Sequence, residues 1–327
     1  MKRREFLKTA AVTGATISAG LGARGAEAGN ADGAHGAIPK RPYGKSGVEL
    51  SVIGFGGIVV KDVDQPTADK VVADAVARGV NYFDVAPAYG DAEVQLGPAL
   101  APYRKDCFLA CKTAERTREK AEADFARSCE RLRTDYFDLY QLHAITDVQK
   151  DVDTVFQPGG VMDMVLEKKK SGQIRHVGFS AHSLQAARAA LDRYDFDSIL
   201  MPVNYAAFIK EGWGPQIFAL AKEKGCAVLA LKSMAKQRWG DGASVSREDY
   251  RKCWYEPLTD PEEAAMGVRW TLSQPVVATI PPGNEKLFRM ALDIAAETTA
   301  LSGEEATKIA ALAQGADSLF PVVEGDA

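Results

Sequence analysis

Four side chains that can carry or tune a proton stand at the ends of short apolar runs. Asp84 ends NYFD and Tyr89 follows five residues later, while Lys112 ends CFLACK and His143 ends YFDLYQLH. A tyrosine is a weak acid with a reference pKa of about 10, and a nearby ammonium group stabilises its phenolate form. We therefore expect Lys112 to lower the pKa of Tyr89, and Asp84 to hold the lysine by charge pairing. Histidine adds a hydrogen-bonding group beside the reacting atom.

The apolar runs belong to a series of eight predicted strands, near residues 51–54, 81–85, 107–112, 136–142, 174–179, 199–204, 226–232 and 276–280. Segments with apolar residues three and four apart lie between them and predict helices. Alternating strands and helices imply right-handed βαβ units, and eight units in about 270 residues match a closed (β/α)8 TIM barrel. An open doubly wound sheet is the alternative, but GFGGIVV lacks the G-x-G-x-x-G spacing of its nucleotide site.

The ends of the strands are where a TIM barrel performs chemistry, because the loops that follow them surround one pocket. Side-chain alternation places Lys112 on one face of its strand with Phe108, and His143 on one face with Gln141. The sequence therefore predicts that the proton-handling residues meet in one barrel mouth as an acid–base site.

One segment departs from the alternation of strands and helices. Residues 235–261 lie between the seventh predicted strand and its helix, and they are rich in Arg, Lys, Asp and Trp. Loops of this length are commonly functional. We expect the shape of this segment, including Trp239 and Trp254, to influence which substrate is accepted.

The first 28 residues have the layout of an export signal. Arg3 and Arg4 precede Phe6 and Leu7, an uncharged small-residue stretch runs from Thr9 to Gly22, and Ala-Glu-Ala closes the segment. The paired arginines are similar to a twin-arginine signal, which directs folded proteins out of the bacterial cytoplasm. The stretch is too short and too rich in glycine for stable membrane insertion. We expect recognition by the twin-arginine export machinery, and a periplasmic or secreted protein.

The remaining chain divides into a flexible lead-in at residues 29–40 and a barrel with a C-terminal helix at residues 41–327. The chain is 46% hydrophobic and 26% charged with a net charge of −4, a globular composition that favours no nucleic-acid partner. Its five cysteines contain no C-x-x-C pair. We therefore predict neither a metal ion nor an iron–sulfur cluster.

Five motifs resemble those of the aldo-keto reductase family: GFGG, NYFDVAPAYGDAEVQLGPAL, CKT, DYFDLYQLH and VGFSAHS, in this order. The most specific is the run F-D-x-A-x-x-Y-G. The resemblance implies a (β/α)8 barrel and places Asp84, Tyr89, Lys112 and His143 on the family's catalytic tetrad. It implies that NADPH delivers hydride to the carbonyl carbon of a small aldehyde or ketone while Tyr89 protonates the oxygen. Lys112, held by Asp84, would acidify Tyr89, and His143 would orient the carbonyl group.

The resemblance also implies a cofactor site. Ser180 fits the family's carboxamide-binding serine, and Lys232 is within reach of the pyrophosphate. Gly283, Lys286 and Arg289 lie near the place where the family binds the adenosine 2′-phosphate. The expected cofactor is NADP(H), with NAD(H) as the alternative.

Two other functions are compatible with the same residues. Ala181, Pro202 and Leu231 replace an asparagine, a glutamine and a tyrosine that many family members place at the nicotinamide. These departures suggest an alternative function, in which the barrel senses the cofactor or binds a partner and has little catalytic turnover. The second alternative is a Schiff-base enzyme that uses Lys112 or Lys232. An aspartate beside Lys112 favours the charged, non-nucleophilic ammonium and argues against that lysine.

Overall fold

The computed structural model describes residues 36–297 and 299–320. The predicted signal at residues 1–28 lies outside the described residues, as do residues 29–35 of the lead-in. The strands of the described part are β1 Lys40–Pro42, β2 Glu49–Ser51, β3 Phe55–Gly56, β4 Tyr82–Asp84, β5 Phe108–Thr113, β6 Phe137–Ile145, β7 Ile174–Ala181, β8 Ser198–Pro202, β9 Ala227–Leu231, β10 Ala235–Gln237, β11 Glu256–Pro257 and β12 Ala278–Ile280.

The α-helices of the same ranges are α1 Gln65–Ala77, α2 Ala92–Leu100, α3 Arg118–Arg131, α4 Val161–Lys170, α5 Leu184–Arg193, α6 Tyr205–Ile209, α7 Pro215–Lys224, α8 Pro261–Ser273, α9 Glu285–Ala296 and α10 Gly303–Gly315. None of these helices combines the length and the apolar character that crossing a lipid bilayer requires.

Eight parallel strands form the barrel, in the order β12, β9, β8, β7, β6, β5, β4 and β3. The sheet closes between its first and last strands, where Ile53 bridges Thr279 in parallel. At this seam the Gly54 amide donates to the Thr279 carbonyl at 2.9 Å, and the Thr279 amide donates to the Val52 carbonyl at 2.8 Å. The predicted (β/α)8 barrel is therefore confirmed.

Helix α1 shows why the helices form where they do. The Asp64 carboxylate accepts a hydrogen bond from the Thr67 amide at 2.9 Å and so satisfies one free N–H group of the first turn. The chain leaves the helix through Gly79, whose φ of 92° suits glycine. One face of the helix is buried and carries apolar residues three and four apart: Ala68, Val71, Val72 and Ala75.

The start of the barrel differs from the prediction of a strand at residues 51–54. Ser51 belongs to β2, which pairs antiparallel with β1 in a hairpin, and the first barrel strand is β3. Tyr43 and Leu50 of the hairpin segment are buried against barrel residues, and the Tyr43 hydroxyl donates to Ser198 Oγ at 2.8 Å. Every residue from 50 to 56 is buried, so burial pattern alone does not separate the hairpin from the barrel strand.

Residues 235–261, called the insertion below, contain a second hairpin. Strands β10 and β11 pair antiparallel at its base. The buried carboxylate of Glu256 accepts hydrogen bonds from the Ser244 amide at 2.8 Å and the Ser244 hydroxyl at 2.6 Å. The Trp239 indole donates to the Cys253 carbonyl at 2.9 Å. The insertion is therefore an ordered unit with its own hydrogen bonds.

Candidate active site

A cavity of about 220 Å³ opens where the barrel strands end. Its wall contains seven of the nine residues that the sequence predicts for the site: Asp84, Tyr89, Lys112, His143, Ser180, Lys232 and Gly283. The other two, Lys286 and Arg289, line a groove of about 1010 Å³ beside α9. Gly283 lines the cavity and Asn284, the next residue in the chain, lines the groove.

Asp84 and Lys112 form a buried ion pair at the cavity. The register of β4 and β5 places Asp84 beside Ala110, two residues before Lys112, so the two side chains lie on the same side of the sheet. The Lys112 ammonium also donates to the Val85 carbonyl at 3.1 Å. Burial lowers the pKa of Lys112, but the Asp84 carboxylate and the nearby Tyr89 hydroxyl, once ionised, raise it by more. The net pKa is raised, and the lysine remains charged.

Two further side chains hold Asp84. The Gln141 amide donates to Asp84 Oδ2 at 3.0 Å, and the Tyr82 hydroxyl donates to the same oxygen at 3.2 Å. Hydrogen bonds to an ionised group are stronger than neutral ones and fix its orientation. The sequence marks Gln141 only as sharing a strand face with His143, and it gives no signal for Tyr82.

Tyr89 lies in the turn after β4, with the Lys112 nitrogen 5.3 Å from the centre of its ring. The ring meets His143 edge-on, with 5.8 Å between the ring centroids. Lys112 lowers the pKa of Tyr89, as predicted, but the net pKa is raised. Burial raises this pKa more than Lys112 lowers it, and Asp84 adds to the increase. Tyr89 therefore keeps its proton at neutral pH, which a proton donor requires.

His143 is a neutral imidazole in this environment. Burial lowers its pKa to about 3, and the positive charge of Lys112 acts in the same direction. Its Nδ1 is buried and has no hydrogen-bond partner among the described residues. The other nitrogen, Nε2, is the one left for a ligand. A neutral ring with its proton on Nε2 can donate a hydrogen bond to a carbonyl oxygen.

The backbone around His143 is held from two sides. Arg116 donates to the His143 carbonyl at 2.8 Å, and the Ser180 hydroxyl accepts from the Ala144 amide at 2.8 Å. Ala144 has a φ of 56°, in the left-handed region that non-glycine residues rarely occupy. Ser180 therefore stabilises a strained irregularity of β6 beside the histidine. Its own O–H group donates to no acceptor among the described residues.

Lys232 follows β9 and is half-buried at the cavity. Its nitrogen lies 5.0 Å from the ring centres of both Trp254 and Tyr255, which belong to the insertion. Burial lowers the pKa of Lys232 to about 8. In the part of the chain that the structure describes, this lysine forms no ion pair with a carboxylate. A cation held by aromatic rings without a counter-ion suits an anionic ligand.

The two cations of the groove differ in their partners. Arg289 pairs with Asp74 and with Glu285, each at 2.9 Å. Lys286 is exposed and forms no ion pair within residues 36–297 and 299–320. Of the two cations predicted near the 2′-phosphate, Lys286 is therefore the one whose charge is not already neutralised.

Three further residues of the cavity wall carry titratable side chains that the sequence does not mark as site residues. His182 follows Ser180 by two positions at the end of β7, and burial lowers its pKa to about 4. Lys252 and Tyr255 belong to the insertion, whose length and composition are their only sequence signal. Among the described residues, no three His, Cys, Asp or Glu side chains are grouped so that they could hold a metal ion.

Comparisons with known proteins agree with this geometry. The sequence model of the Aldo/keto reductase family matches residues 52–252. The uncharacterized oxidoreductase YqkF of Bacillus subtilis is 28% identical over 298 residues, which cover 81% of this chain and 94% of the relative. The aldo-keto reductase str7 of Strobilurus tenacellus is 25% identical over 309 residues, which cover 83% of this chain and 88% of that relative.

The solved structure of aldo-keto reductase AKR11C1 from Bacillus halodurans, in its holo form, shares the fold with a TM-score of 0.66 at 24% identity. The superposition covers 88% of this chain and 99% of that one. Fold, sequence and the arrangement of strand-end residues thus agree. The chain belongs to the aldo/keto reductase family and is an NAD(P)H-dependent oxidoreductase.

Proposed function

We propose that this enzyme reduces the carbonyl group of a small aldehyde or ketone to an alcohol, with NADPH as reductant and Tyr89 as proton donor. One observation carries the proposal: a protonated tyrosine, a charge-paired lysine and a neutral histidine line the same cavity. When bound, the reduced nicotinamide supplies a hydride to the carbonyl carbon. The protein supplies the proton and the positioning.

The roles of the side chains follow from their charges. As negative charge develops on the substrate oxygen, Tyr89 transfers its proton to it and becomes a phenolate beside the Lys112 ammonium. This attraction grows only as the charge forms, so it stabilises the transition state more than the ground state. Asp84, held by Gln141, keeps the lysine in place. His143 donates from Nε2 to the same substrate oxygen and orients the carbonyl.

The cavity fits the nicotinamide end of the cofactor. The Ser180 O–H group is available to a carboxamide, and the Lys232 ammonium is available to the pyrophosphate. Gly283 lines the cavity one residue before Asn284 of the groove, and a Cβ there would come within 2.3 Å of the Ile58 side chain. We propose that this close packing lets the chain turn tightly around the cofactor.

The groove fits the adenosine end. It contains the first turn of α9, where Asn284 caps the helix by accepting from the Leu287 amide at 3.2 Å. A helix N-terminus favours an anionic group. We propose that Lys286 provides the main charge for the 2′-phosphate. Arg289 contributes less, because Asp74 and Glu285 already neutralise it.

The test is NADPH oxidation by the full chain on a mixed panel of aldehydes and ketones, with NADPH binding followed in parallel by fluorescence quenching. We expect turnover of at least one carbonyl compound. Tight NADPH binding without any turnover would contradict the proposal and favour the cofactor-sensing alternative. The replacements at Ala181, Pro202 and Leu231 are what suggest that alternative.

A second candidate function is Schiff-base chemistry at Lys232. Its pKa of about 8 leaves part of the population as the neutral, nucleophilic amine near that pH. Lys112 is excluded from this role by its pairing with Asp84. Borohydride trapping with a carbonyl compound and no nicotinamide tests the candidate. An adduct that disappears in Lys232→Met would support it, and NADPH turnover without an adduct would exclude it.

We also propose that the enzyme is exported through the twin-arginine route, on the sole support of the sequence of residues 1–28. The test is fractionation of a bacterial host that expresses the full chain. We expect the wild type in the periplasm or medium, and the variant with Arg3→Lys and Arg4→Lys in the cytoplasm. Wild-type protein that remains in the cytoplasm would contradict the proposal.

A further inference from the structure

The charges around the cavity indicate which charge the non-reacting part of the substrate can carry. The cavity wall contains three lysines, Lys112, Lys232 and Lys252, and a single carboxylate, that of Asp84. Asp84 already accepts from Lys112, and Gln141 donates to its second oxygen. The remaining two lysines give the described cavity wall a net positive charge. No free carboxylate on this wall could receive a cationic substrate.

Lys252 is held in place by the backbone and not by a carboxylate. It belongs to the insertion, is half-buried, and donates to the Val59 carbonyl at 3.1 Å. An ammonium group has three N–H donors, so two remain available. In the described part of the chain, no carboxylate lies within 4.0 Å of this nitrogen.

The charged groups around Lys252 come from three segments and oppose one another. Burial lowers the pKa of Lys252, Asp62 and Asp91 raise it, and Arg251 and Lys61 lower it. Lys61 is itself 3.7 Å from Asp62. On balance the pKa of Lys252 is lowered, and none of these neighbours pairs with it directly, so its remaining N–H donors are available to a ligand in the cavity.

The size of the cavity limits the substrate. At about 220 Å³ it is smaller than the ~300–1,000 Å³ of pockets that hold drug-sized ligands, and the nicotinamide ring must share it. Apolar side chains, among them Leu200 and Ile280, line part of the wall. Trp254 is 54% exposed at the same wall. The space therefore suits a compact molecule with a short apolar linker.

We propose that the substrate is a compact aldehyde or ketone that also carries an anionic group, a carboxylate or a phosphate, and that Lys252 binds this anion. The inference rests on the reduction proposed above, and Lys232 keeps its assignment to the cofactor. A neutral substrate of the same shape offers the two free N–H donors of half-buried Lys252 no charged acceptor, whereas an anion gives them a charge-assisted hydrogen bond. Anionic substrates are therefore preferred.

The first experiment measures binding without turnover. The full chain, with and without NADP⁺, is titrated with succinate or with inorganic phosphate while tryptophan fluorescence is followed. We expect Lys252→Met to weaken binding of at least one of these anions by about 10-fold or more, and Lys252→Arg to retain it. Arg251→Met is the matched control, because it removes an exposed positive charge one residue away.

Two results of this titration would overturn the inference. One is the absence of measurable binding of both anions to the wild type. The other is an equal loss of binding in Lys252→Met and Arg251→Met, because that loss would reflect net charge alone. Retention of binding in Lys252→Arg and Arg251→Met, with its loss in Lys252→Met, supports the inference independently of catalysis.

The second experiment compares anionic substrates with neutral counterparts. 4-Oxobutanoate is paired with neutral 4-methylpentanal, and glyceraldehyde 3-phosphate is paired with glyceraldehyde, so the two arms separate carboxylate from phosphate recognition. We expect the wild type to prefer the anion in at least one pair. Lys252→Met should reduce that preference by about 10- to 100-fold, mainly through KM.

A preference that Lys252→Met does not change would overturn the inference and leave the reduction intact. Anion binding without turnover of any compound would contradict the reduction alone.

Discussion

Two buried ion-pair clusters lie at opposite ends of neighbouring barrel strands, and they differ in how completely they are closed. Near the start of β6, Asp138 pairs with Arg104 at 2.9 Å and with Arg175 at 2.7 Å. The ring of Tyr136 lies about 4 Å from both guanidinium groups. Arg104 also donates to the side chain of Thr134 and to two backbone carbonyls. The hydrogen-bonding groups of Asp138 and Arg104 are directed at protein atoms, and the Arg175 side chain, 55% exposed, forms the solvent side of the cluster.

At the other end of the barrel, Asp84 and Lys112 form the corresponding pair, again beside a tyrosine, Tyr89. This cluster borders the cavity, and two of its polar atoms are buried without partners among the described residues: Gln141 Oε1 and His143 Nδ1. The cation of this cluster is a lysine, whose charge is concentrated on one nitrogen. The cations of the opposite cluster are arginines, whose planar guanidinium groups carry several N–H donors.

The difference shows how one kind of interaction serves two purposes. An aspartate, a cation and a tyrosine occur in both clusters, so residue types alone do not make a catalytic site. A closed arginine network contributes to folding, whereas an ion pair open to a cavity can respond to charge that develops on a ligand. TIM barrels generally have one stabilising end and one catalytic end. Substitutions at the two ends of this barrel can test whether it divides these roles in the same way.

The largest expected effect distinguishes the two tyrosines. Tyr89→Phe should lower the rate of carbonyl reduction by about 100- to 10,000-fold, because the general acid is lost. NADPH binding should change little, since the hydroxyl is not part of the proposed cofactor site. Tyr136→Phe, at the closed cluster, is the control and should keep the wild-type rate. Single-turnover NADPH oxidation and fluorescence titration measure both effects. Equal rates in wild type and Tyr89→Phe would refute the assigned role.

The next effect is on stability and concerns the closed cluster. Arg104→Met leaves Asp138 with one cation and removes several hydrogen bonds, so the free energy of unfolding should fall by about 3 kcal/mol. The turnover number should remain close to the wild-type value. Urea denaturation and steady-state assays on the same preparation test this prediction. A large loss of turnover in folded Arg104→Met would contradict the division between the two ends.

A smaller effect concerns the two histidines of the cavity. The folded pKa values of His143 and His182 are lowered to about 3 and about 4, so below pH 6.5 the unfolded chain binds protons that the folded chain does not. The free energy of unfolding should therefore fall as the pH decreases from about 6.5 towards 4, by up to about 1.4 kcal/mol per pH unit for each histidine.

Urea denaturation of the wild type and His182→Gln at pH 7 and pH 5 measures this dependence. The substitution should reduce the loss of stability between these pH values by about 1 to 2 kcal/mol, because one titrating group is removed. The same loss in both proteins would show that His182 does not titrate on unfolding in the way its burial implies.

The smallest expected effect lies within the catalytic end and compares the two cations of the groove. Lys286→Ala should weaken NADPH binding by about 5- to 10-fold and NADH binding by less than about twofold, because only NADPH carries the 2′-phosphate. Arg289→Met should have a smaller effect on this ratio, since its charge is already paired. Equal weakening of both cofactors by Lys286→Ala would show that the residue does not contact that phosphate.

Much of this arrangement follows from local sequence. The apolar runs that end at Asp84, Lys112 and His143 predict neighbouring strands, and closure of the barrel brings their ends to one cavity. The helices follow from capping residues and the spacing of apolar residues. These are properties of short segments, so they can be read without knowing which segments meet.

The remainder depends on contacts between distant parts of the chain. The net pKa of Tyr89 is raised because the folded chain buries its side chain. The sequence predicts the nearby Lys112, which lowers this pKa, but it does not predict how deeply the tyrosine is buried. Arg289 is paired with Asp74, which is 215 residues away. Lys252 reaches the cavity through the hairpin of the insertion and has no spacing motif of its own.

The hairpin at the base of the insertion has a consequence for how this barrel can diversify. Ala235 lies opposite Pro257 across the strand pair, so the polypeptide departs from the barrel and returns to it at nearly one point. The entropic cost of such a closed loop increases only slowly with its length. The intervening stretch, which includes Lys252 and Trp254, can therefore change in length and sequence while the strands that carry Asp84, Lys112 and His143 keep their positions.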